Sequence, residues 1–395
     1  MVVDQIRVAV VGGGIGGLAA AGALLHRGVD VHVYEQAPEL GEVGAGVLVT
    51  PNSLRLLERI GLAEELARVG GPVGEGSTYY RHDGQAVSRI LTADSNGWNG
   101  MYGMHRADLL AVLADALPTE RIHTGHQCVD FRQDADGCTV IFANGEEVRA
   151  DVVIAADGIN STLRLHVVPP VEVIDSGSVA YRGLVPAKAV PSWRPGVSQL
   201  WMGERKHFLT YPLRRGELIT YIAFVPSQRQ AAESWSAPGD ADELRAAFAG
   251  WDEPVTTLLD AVETTYWWGL YDRMPLDRWT SGRLTLLGDA AHPMLPHLGQ
   301  GANQAIEDGF ALAAHLATAA DISSGLQAYE AQRRPRTSRV QHEARLNGRR
   351  YDSHFDDLDE RDSQITNTVD LRLWLYDHDA ELEALGKASS AVQAG

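Results

Sequence analysis

The 395-residue sequence is poor in cysteine, in long hydrophobic runs and in basic residues relative to acidic ones. Only Cys128 and Cys138 are present, which provides no disulfide framework and predicts a reducing, cytoplasmic location. No stretch approaches the roughly 18 uninterrupted apolar residues of a membrane span, so no membrane association is expected. Residues 1–5 contain no basic segment followed by an apolar core, so no leader peptide is expected either.

The charge balance is acidic, with 34 Lys and Arg residues against 52 Asp and Glu residues and a net charge of −18. Such a balance argues against nucleic acid or anionic lipid as the main partner. It does not exclude a small anionic substrate, because the local field of a site can oppose the global one. With 45% hydrophobic and 22% charged residues, the chain has a globular composition, and it is long enough for two domains or for one large domain with an insertion.

A dinucleotide-binding pattern opens the chain. Residues 6–11 form an apolar, β-branched run that predicts a strand, and Gly12, Gly14 and Gly17 follow it in G-x-G-x-x-G spacing. A helical pattern and a further strand lead to Glu35, close to the spacing of about 20 residues expected for an acid that binds a ribose hydroxyl. The pattern predicts a bound dinucleotide; the alternative is a purely structural βαβ turn.

A second candidate site follows the apolar run of residues 284–287, which predicts a buried strand. The run ends in Gly288 and Asp289, at the position where an open α/β sheet carries its ligands. A helical pattern begins after Gly301, at Ala302, and its N-terminus favours a ligand that becomes anionic. The alternative is an ordinary strand–turn–helix connection.

Three further stretches are candidates for ligand contact. Residues 151–156 predict a buried strand that ends in Asp157, and the glycine-rich residues 41–46 allow the backbone to approach a flat ligand. Arg106, at the start of a predicted helix, either reaches cofactor phosphates or pairs with Asp108 on a solvated face.

The pattern changes between residues 178 and 279, where alternating segments indicate an antiparallel sheet. We therefore expect an α/β protein with a Rossmann-like domain, an inserted antiparallel-sheet substrate domain and a C-terminal helical segment. The predicted bounds are 1–177 with 280–345, then 178–279, and 346–395. The Asn144-Gly145 pair predicts a hairpin turn, and the arginines of residues 333–336 are expected on a solvated helix face.

Taken together, the glycine motif with Glu35, Asp157-Gly158 with Arg164, and Gly288-Asp289 with its helix resemble the single-component FAD-dependent aromatic hydroxylases over nearly the whole chain. The resemblance implies FAD as the cofactor, with NADH or NADPH as a transient co-substrate and O2. It implies cofactor contacts by Gly12, Gly14, Gly17, Glu35, Gly46, Arg106, Asp157, Asp289, Pro293, Gly301 and Ala302.

The resemblance also extends to the substrate side. His207 and Tyr211 match a His-x-x-x-Tyr segment of members that act on 3-hydroxybenzoate and 6-hydroxynicotinate, and His297 matches a Pro-His loop. These three residues are the predicted catalytic groups; the alternative is a satisfied sheet histidine and a core tyrosine. Leu48 stands where members that act on 6-hydroxynicotinate carry a histidine, which is a departure.

The resemblance implies hydroxylation of a small phenolic or carboxylated aromatic through a C4a-hydroperoxyflavin. The alternatives are an epoxidase or polyketide-type hydroxylase with a larger apolar substrate, and a non-catalytic nucleotide-binding regulator. No metal is expected, no nucleic acid is expected as a partner, and a homodimer is the expected assembly.

Overall fold

The computed structural model describes residues 6–41, 45–227, 237–352 and 357–386. Its strands are β1 Arg7–Val11, β2 Asp30–Tyr34, β3 Gly46–Val49, β4 Gly71–Pro72, β5 Thr78–Arg81, β6 Ala86–Arg89, β7 Tyr102–His105, β8 Ile122–His123, β9 Cys128–Gln133, β10 Cys138–Phe142, β11 Glu147–Ala150, β12 Val152–Ala155, β13 Ile174–Pro186, β14 Gln199–Gly203, β15 Lys206–Leu213, β16 Leu218–Pro226, β17 Ala237–Gly239, β18 Thr265–Asp272, β19 Thr280–Ser281 and β20 Leu284–Leu286. Its helices are α1 Ile15–His26, α2 Pro51–Arg59, α3 Ala63–Val69, α4 Arg106–Asp115, α5 Ala241–Ala247, α6 Glu253–Asp260, α7 Gly301–Thr318, α8 Ile322–Tyr351, α9 Leu358–Thr366, α10 Val369–Tyr376 and α11 Ala380–Ala384.

A largely parallel sheet brings the three sequence motifs together. Its strand order is β19-β20-β12-β1-β2-β8, with β1 parallel to both β2 and β12, and β12 parallel to β20. Val11 is in register with Ala155, and Ala155 is in register with Leu286. The loops that follow these strands therefore leave the same sheet edge side by side, where open α/β sheets bind ligands.

An eight-stranded sheet of order β17-β18-β13-β16-β15-β14-β5-β6 forms the second layer of the molecule. Its long central strands β13, β15 and β16 are antiparallel. One face packs on helices α5 and α6, and the other face turns toward the first domain. Strand β13 of this sheet begins at Ile174, slightly before the predicted insertion of residues 178–279. Strands β5 and β6 come from residues 78–89, so two strands of the sheet precede that insertion entirely.

The predicted fold class is confirmed, with a parallel dinucleotide-binding sheet, antiparallel sheets and a helical C-terminus. The expected hairpin is also present, since β10 and β11 pair antiparallel across Asn144 and Gly145. The domain bounds stay a prediction. Residues 42–44 of the glycine-rich stretch lie outside the described residues. Across the part of the chain that the structure describes, no α-helix combines the length and apolar character needed to cross a membrane.

The prediction of a solvated helix face for residues 333–336 was wrong for Arg333 and Arg336, whereas the side chain of Arg334 is 40% exposed. Arg333 and Arg336 lie on helix α8 and are buried, with exposed fractions of 0% and 8%. Their guanidinium groups pair with Glu307 and Asp308 of helix α7, which are themselves fully buried. The arginine pattern by itself does not indicate this burial, because the partner acids lie on a different helix.

Candidate active site

The glycine loop after β1 has the geometry of a dinucleotide turn. Gly12 has a φ of +111°, and a Cβ there would lie 2.2 Å from the carbonyl oxygen of Ala156. A Cβ on Gly17 would lie 2.0 Å from the carbonyl oxygen of Gly12, so this glycine lets helix α1 pack against the loop. A Cβ on Gly14 would meet nothing within 4 Å. Gly14 is thus the glycine whose backbone faces open space, as an approaching pyrophosphate requires.

Glu35, at the end of β2, holds the same loop. Its Oε2 accepts a hydrogen bond from the N–H of Gly13 at 2.6 Å, and its Oε1 accepts one from the N–H of Ala37 at 2.8 Å. The carboxylate is half-buried beside the glycine loop. A ribose hydroxyl that approached this edge would find an acceptor already oriented by two backbone donors.

The loop after β12 is fixed from within. Asp157 accepts hydrogen bonds from the hydroxyl of Ser161 at 2.5 Å and from the N–H of Leu163 at 3.2 Å. Burial raises the pKa of Asp157, and these two hydrogen bonds oppose the rise. Its neighbours Ala156 and Gly158 line a cavity between the three loops and the eight-stranded sheet, the main cavity, whereas Asp157 does not. Its carboxylate is therefore committed to the loop.

Arg164 ties that loop to the next one. Its Nε donates to the carbonyl oxygen of Ala290 at 2.7 Å, and its Nη2 donates to those of Asp289 and Ile159, both at 2.9 Å. The side chain is buried. The arginine therefore acts as a cross-link that sets the spacing of these two neighbouring loops.

The loop after β20 presents a carboxylate to the cavity. Asp289 is exposed and lines the cavity wall, and among the described residues nothing hydrogen-bonds its side chain. Gly301 and Ala302, the first residues of α7, line the same space together with Pro293. The N-terminal end of α7 is thus directed at the cavity, and its free N–H groups favour negative charge there.

The N-terminal parts of helices α1 and α7 lie next to each other because the residues at the contact between the two helices are small. A Cβ on Gly16 of α1 would lie 2.9 Å from the Cβ of Ala305 in α7, and one on Gly309 would lie 2.7 Å from the Cα of Ala20. This close packing directs two positive helix ends at one cavity. The arrangement suits a ligand with negative charge at two places, such as a dinucleotide.

The main cavity has a volume of about 290 Å³ and is lined by residues from all three loops and from the eight-stranded sheet. Arg106 and Gly46 line it too. The carboxylate of Asp108 accepts hydrogen bonds from Arg214 at 2.7 and 2.8 Å. The open space at Gly14, the exposed carboxylate of Asp289 and the paired helix ends are consistent with an elongated dinucleotide cofactor.

The roof of the cavity is formed by one face of the eight-stranded sheet. Leu209, Ile222 and Trp268 supply apolar walls, and Tyr211 and Arg182 supply polar groups. Arg182 is buried with its guanidinium 5.1 Å from the ring centre of Trp268. Burial raises the pKa of Tyr211, and the nearby charge of Arg182 opposes that rise.

His207 lies on the same face of β15 as Tyr211 but in a different cavity. That cavity measures about 50 Å³ and is also lined by His297. His207 Nδ1 lies 2.7 Å from Asp352 Oδ1, and its ring stacks on Phe224 with 4.0 Å between centroids. The structure thus brings the two predicted histidines together, 5.2 Å apart between ring centres, and separates both from Tyr211.

The sequence analysis did not predict a buried ionic network that lies next to the loop after β20. Asp308 accepts hydrogen bonds from the N–H of Gly288 at 3.1 Å and from Arg333 Nε at 2.8 Å, and it lies 2.5 Å from His292 Nε2. The adjacent Glu307 binds Arg333 and Arg336. The only available signal was two neighbouring acids in an otherwise apolar helical pattern, which predict a buried cation.

Comparison with known proteins agrees with this geometry. Residues 5–344 match the FAD binding domain family. The chain is 40% identical over 385 residues to 3-amino-4-hydroxybenzoate 2-monooxygenase PtnB3 of Streptomyces platensis, which covers 95% of this chain and 96% of that relative. It is 33% identical over 408 residues to a salicylate hydroxylase of Pseudomonas putida, covering 96% and 94%. A solved salicylate hydroxylase substrate complex aligns with a TM-score of 0.83 at 31% identity, covering 98% of this chain and 99% of that one.

The fold and the site therefore define an FAD-binding oxidoreductase. Within that class, the chain belongs to the FAD-dependent aromatic monooxygenases, the family that its three motifs resembled. The expected cofactor and the expected type of reaction are confirmed at that level. The non-catalytic regulator considered as an alternative is wrong, because the relatives that span the whole chain are monooxygenases.

Proposed function

We propose that this chain hydroxylates a small aromatic ring bearing a phenolic hydroxyl or a carboxylate, of the hydroxybenzoate, salicylate or hydroxypyridine type. The observation that carries the proposal is Arg182, a buried guanidinium that lies with Tyr211 in the mostly apolar roof of the cavity. A buried guanidinium binds carboxylate or phenolate oxygens strongly. The names of the relatives, an aminohydroxybenzoate monooxygenase and a salicylate hydroxylase, support the same substrate class.

The residues around the three loops would hold FAD. Gly14 and the start of α1 would receive the pyrophosphate, Glu35 a ribose hydroxyl, and Asp289 the ribityl chain. Gly301, Ala302 and Pro293 would flank the flavin ring, and Gly46 and Arg106, which line the same cavity, would also contact the cofactor. Gly12, Gly17 and Asp157 would shape the loops rather than touch the cofactor. Bound FAD would supply oxygen activation, with NADH or NADPH as the reductant.

Tyr211 and His207 would have different tasks. Because burial raises the pKa of Tyr211, its hydroxyl stays protonated at neutral pH and can donate a hydrogen bond to a substrate oxygen. His207, which pairs with Asp352 in the neighbouring small cavity, would accept the proton of the substrate hydroxyl through intervening water, which makes the ring electron-rich. Burial lowers the pKa of His297 to about 3, so it stays neutral and would serve as a hydrogen-bond partner.

The test is NAD(P)H and O2 consumption by the FAD-loaded enzyme against a panel of hydroxybenzoates and hydroxypyridines, with product mass. Arg182→Gln should raise KM about ten- to a hundred-fold for carboxylated members, the value of one charged hydrogen bond, and leave uncharged phenols less affected. Arg149→Gln, on the protein surface, is the matched control. A panel that stimulates no consumption would refute the substrate class and favour the larger apolar substrate of the alternative hydroxylase.

We also propose a reducing, cytoplasmic location and a homodimeric assembly. Both cysteines, Cys128 and Cys138, are free, which supports a reducing, cytoplasmic location. A homodimer remains the expected assembly, and sedimentation of the FAD-loaded protein would test it.

A further inference from the structure

The small cavity beside His207 and His297 shares a wall with the main cavity. The residues that line both spaces are Leu48, Leu209, Pro296 and Gly299. The small cavity has a volume of about 50 Å³, which gives room for roughly three to five atoms of water size, since each needs about 10–15 Å³. Among the residues that the structure describes, its lining contains no carboxylate and a single arginine, Arg372. One cation thus lies in the wall of a cavity that is large enough for a small ion.

The guanidinium of Arg372, on helix α10, is incompletely hydrogen-bonded although it is only 8% exposed. Its Nη1 donates to the carbonyl oxygen of Leu298 at 3.2 Å, and its Nη2 donates to the hydroxyls of Tyr79 and Tyr351 at 3.3 and 3.2 Å. Its Nε has no hydrogen-bond partner within the described part of the chain. A guanidinium has more N–H donors than these bonds use, so part of the group is left without an acceptor.

The positive charge of this guanidinium is not balanced by its neighbours. The ionisable groups that act on it most strongly are Tyr79, Tyr351 and Tyr376. Burial raises the pKa of Tyr351 and of Tyr376, so both hydroxyls stay protonated and neutral at neutral pH. They can accept hydrogen bonds from the guanidinium, but they supply no negative charge.

Buried arginines elsewhere in the chain have the counter-charge that Arg372 lacks. Arg333, Arg336 and Arg361 each pair with a carboxylate. Arginine stays charged in proteins, so deprotonation does not relieve its burial. A buried cation without a counter-charge is costly, because it loses its hydration and gains no ion pair in return. The cavity beside Arg372 is therefore the place where an anion would lower the free energy of the folded protein.

The other titratable groups at the cavity leave its excess charge at one. Burial lowers the pKa of His297 to about 3, so this ring is neutral at neutral pH. His207 lies 2.7 Å from the carboxylate of Asp352, which balances any positive charge on the ring. Leu200 and Phe224 supply apolar walls. A site with one uncompensated charge and little room favours a small anion with a single negative charge.

We propose that the small cavity binds one small monovalent anion, with Arg372 as its cation. The ion is of the size of formate or chloride, and its acceptor atoms complete the hydrogen bonding of the guanidinium. Because Arg182 in the main cavity is the proposed partner of the aromatic substrate, the ion is a free one that occupies the small cavity beside the bound ring. Anion binding in this cavity does not depend on the proposed substrate class.

The test measures binding of isotope-labelled formate to the FAD-loaded enzyme by the broadening of the formate NMR line. Sodium gluconate keeps the ionic strength constant, and its anion is too large for a cavity of about 50 Å³. Wild-type enzyme should show saturable broadening. Arg372→Met removes the charge and should weaken formate binding at least ten-fold, the value of one charge-assisted hydrogen bond. The thermal unfolding midpoint should rise with formate in the wild-type enzyme but not in this variant, which a merely structural arginine would not produce.

The matched control is Arg182→Gln, because Arg182 is a buried arginine of the main cavity. It should bind formate with the wild-type affinity. Arg339→Met is a second control, since Arg339 is exposed and contacts α10 only over the ring of Trp374, at 4.0 Å. Ser198→Val narrows the small cavity without changing its charge. This variant should also weaken formate binding, and it keeps the test decisive if Arg372→Met does not fold.

The outcomes separate this inference from the proposed function. Wild-type enzyme that shows no saturable formate binding would overturn the anion site. Loss of binding in Arg182→Gln with retention in Arg372→Met would place the ion in the main cavity and overturn it as well. If formate raises the KM of carboxylated rings but not of uncharged phenols, the cavity takes the substrate carboxylate and the free-ion assignment is wrong. An aromatic panel that stimulates no NAD(P)H consumption would refute the proposed function and leave the formate result unaffected.

Discussion

Two glycines three residues apart in the dinucleotide turn should respond to alanine in different ways. A Cβ on Gly17 would lie 2.0 Å from the backbone oxygen of Gly12, whereas one on Gly14 would meet nothing within 4 Å. Gly14 also has φ of −74° and ψ of −179°, which any residue adopts. We expect Gly17→Ala to damage the fold and Gly14→Ala to damage only cofactor binding.

The magnitudes follow from these contacts. Gly17→Ala forces either the loop or helix α1 to move, which costs about 1–3 kcal/mol of unfolding free energy as overpacking does. Gly14→Ala should change the stability of the FAD-free protein by less than about 0.5 kcal/mol, as an unstrained surface change does. It should weaken FAD binding at least ten-fold, or about 1.4 kcal/mol, because its methyl group would occupy the space of the cofactor phosphates.

The assay pairs urea unfolding of the FAD-free variants with titration of FAD by fluorescence. Unchanged FAD affinity in Gly14→Ala would refute the reasoning that this backbone faces the cofactor. Wild-type stability in Gly17→Ala would refute the packing argument. Loss of stability in both variants would mean that the loop is equally crowded at both positions, against the observed geometry.

Three further predictions concern charged groups. Asp289→Ala should fold normally and bind FAD about ten- to a hundred-fold more weakly in titrations, because it loses a charge-assisted hydrogen bond. Arg333→Met should lower the free energy of unfolding by about 3–5 kcal/mol in urea, because it leaves Glu307 and Asp308 buried without their shared cation. Burial lowers the pKa of His297 to about 3, so the unfolded chain binds one more proton there between pH 6.5 and 3. Stability should fall as the pH falls through that window, and His297→Gln should remove up to about 1.4 kcal/mol per pH unit of the dependence.

Each of these three predictions has a comparison that would contradict it. Asp136→Ala, on the surface, should leave FAD affinity unchanged, and an equal loss in both variants would argue against a specific Asp289 contact. Arg334→Met lies next to Arg333 on the same helix but is 40% exposed, so it should cost less than about 1 kcal/mol. If His297→Gln unfolds with the wild-type pH dependence, the histidine is not held neutral in the folded state.

The sequence predicted the three cofactor loops because each has a local signal, a buried strand that ends in glycine or aspartate. What brought them together was not local. Their meeting depends on the strand order β20-β12-β1, which places residues separated by more than a hundred positions in register. The right-handed, parallel arrangement of such sheets makes that convergence expected once the motifs are assigned to one domain.

The side-chain environment was less predictable. The four-residue spacing of His207 and Tyr211 correctly placed both on one face of β15, yet the wall formed by Leu209 and its neighbours puts them in different cavities. The spacing within a strand fixes the direction of a side chain but not its neighbours from other elements. Asp352, the partner of His207, comes from the end of a helix that the local pattern does not connect to β15.

The buried ionic network of helices α7 and α8 shows how side chains from different elements can position a loop at the cavity. Glu307 and Asp308 face Arg333 and Arg336, so two carboxylates oppose two guanidinium groups and the network carries little net charge. Its hydrogen bond to the N–H of Gly288 therefore positions the Asp289 loop without adding a strong field of its own. The positive potential at the cavity end of α7 then comes from the helix N-terminus, where no acidic residue occupies the first turn. The buried network of α7 thus sets the position of the Asp289 loop, and the N-terminus of the same helix sets the electrostatic potential at the cavity. A variant of the network should therefore change loop order and FAD affinity before it changes that potential.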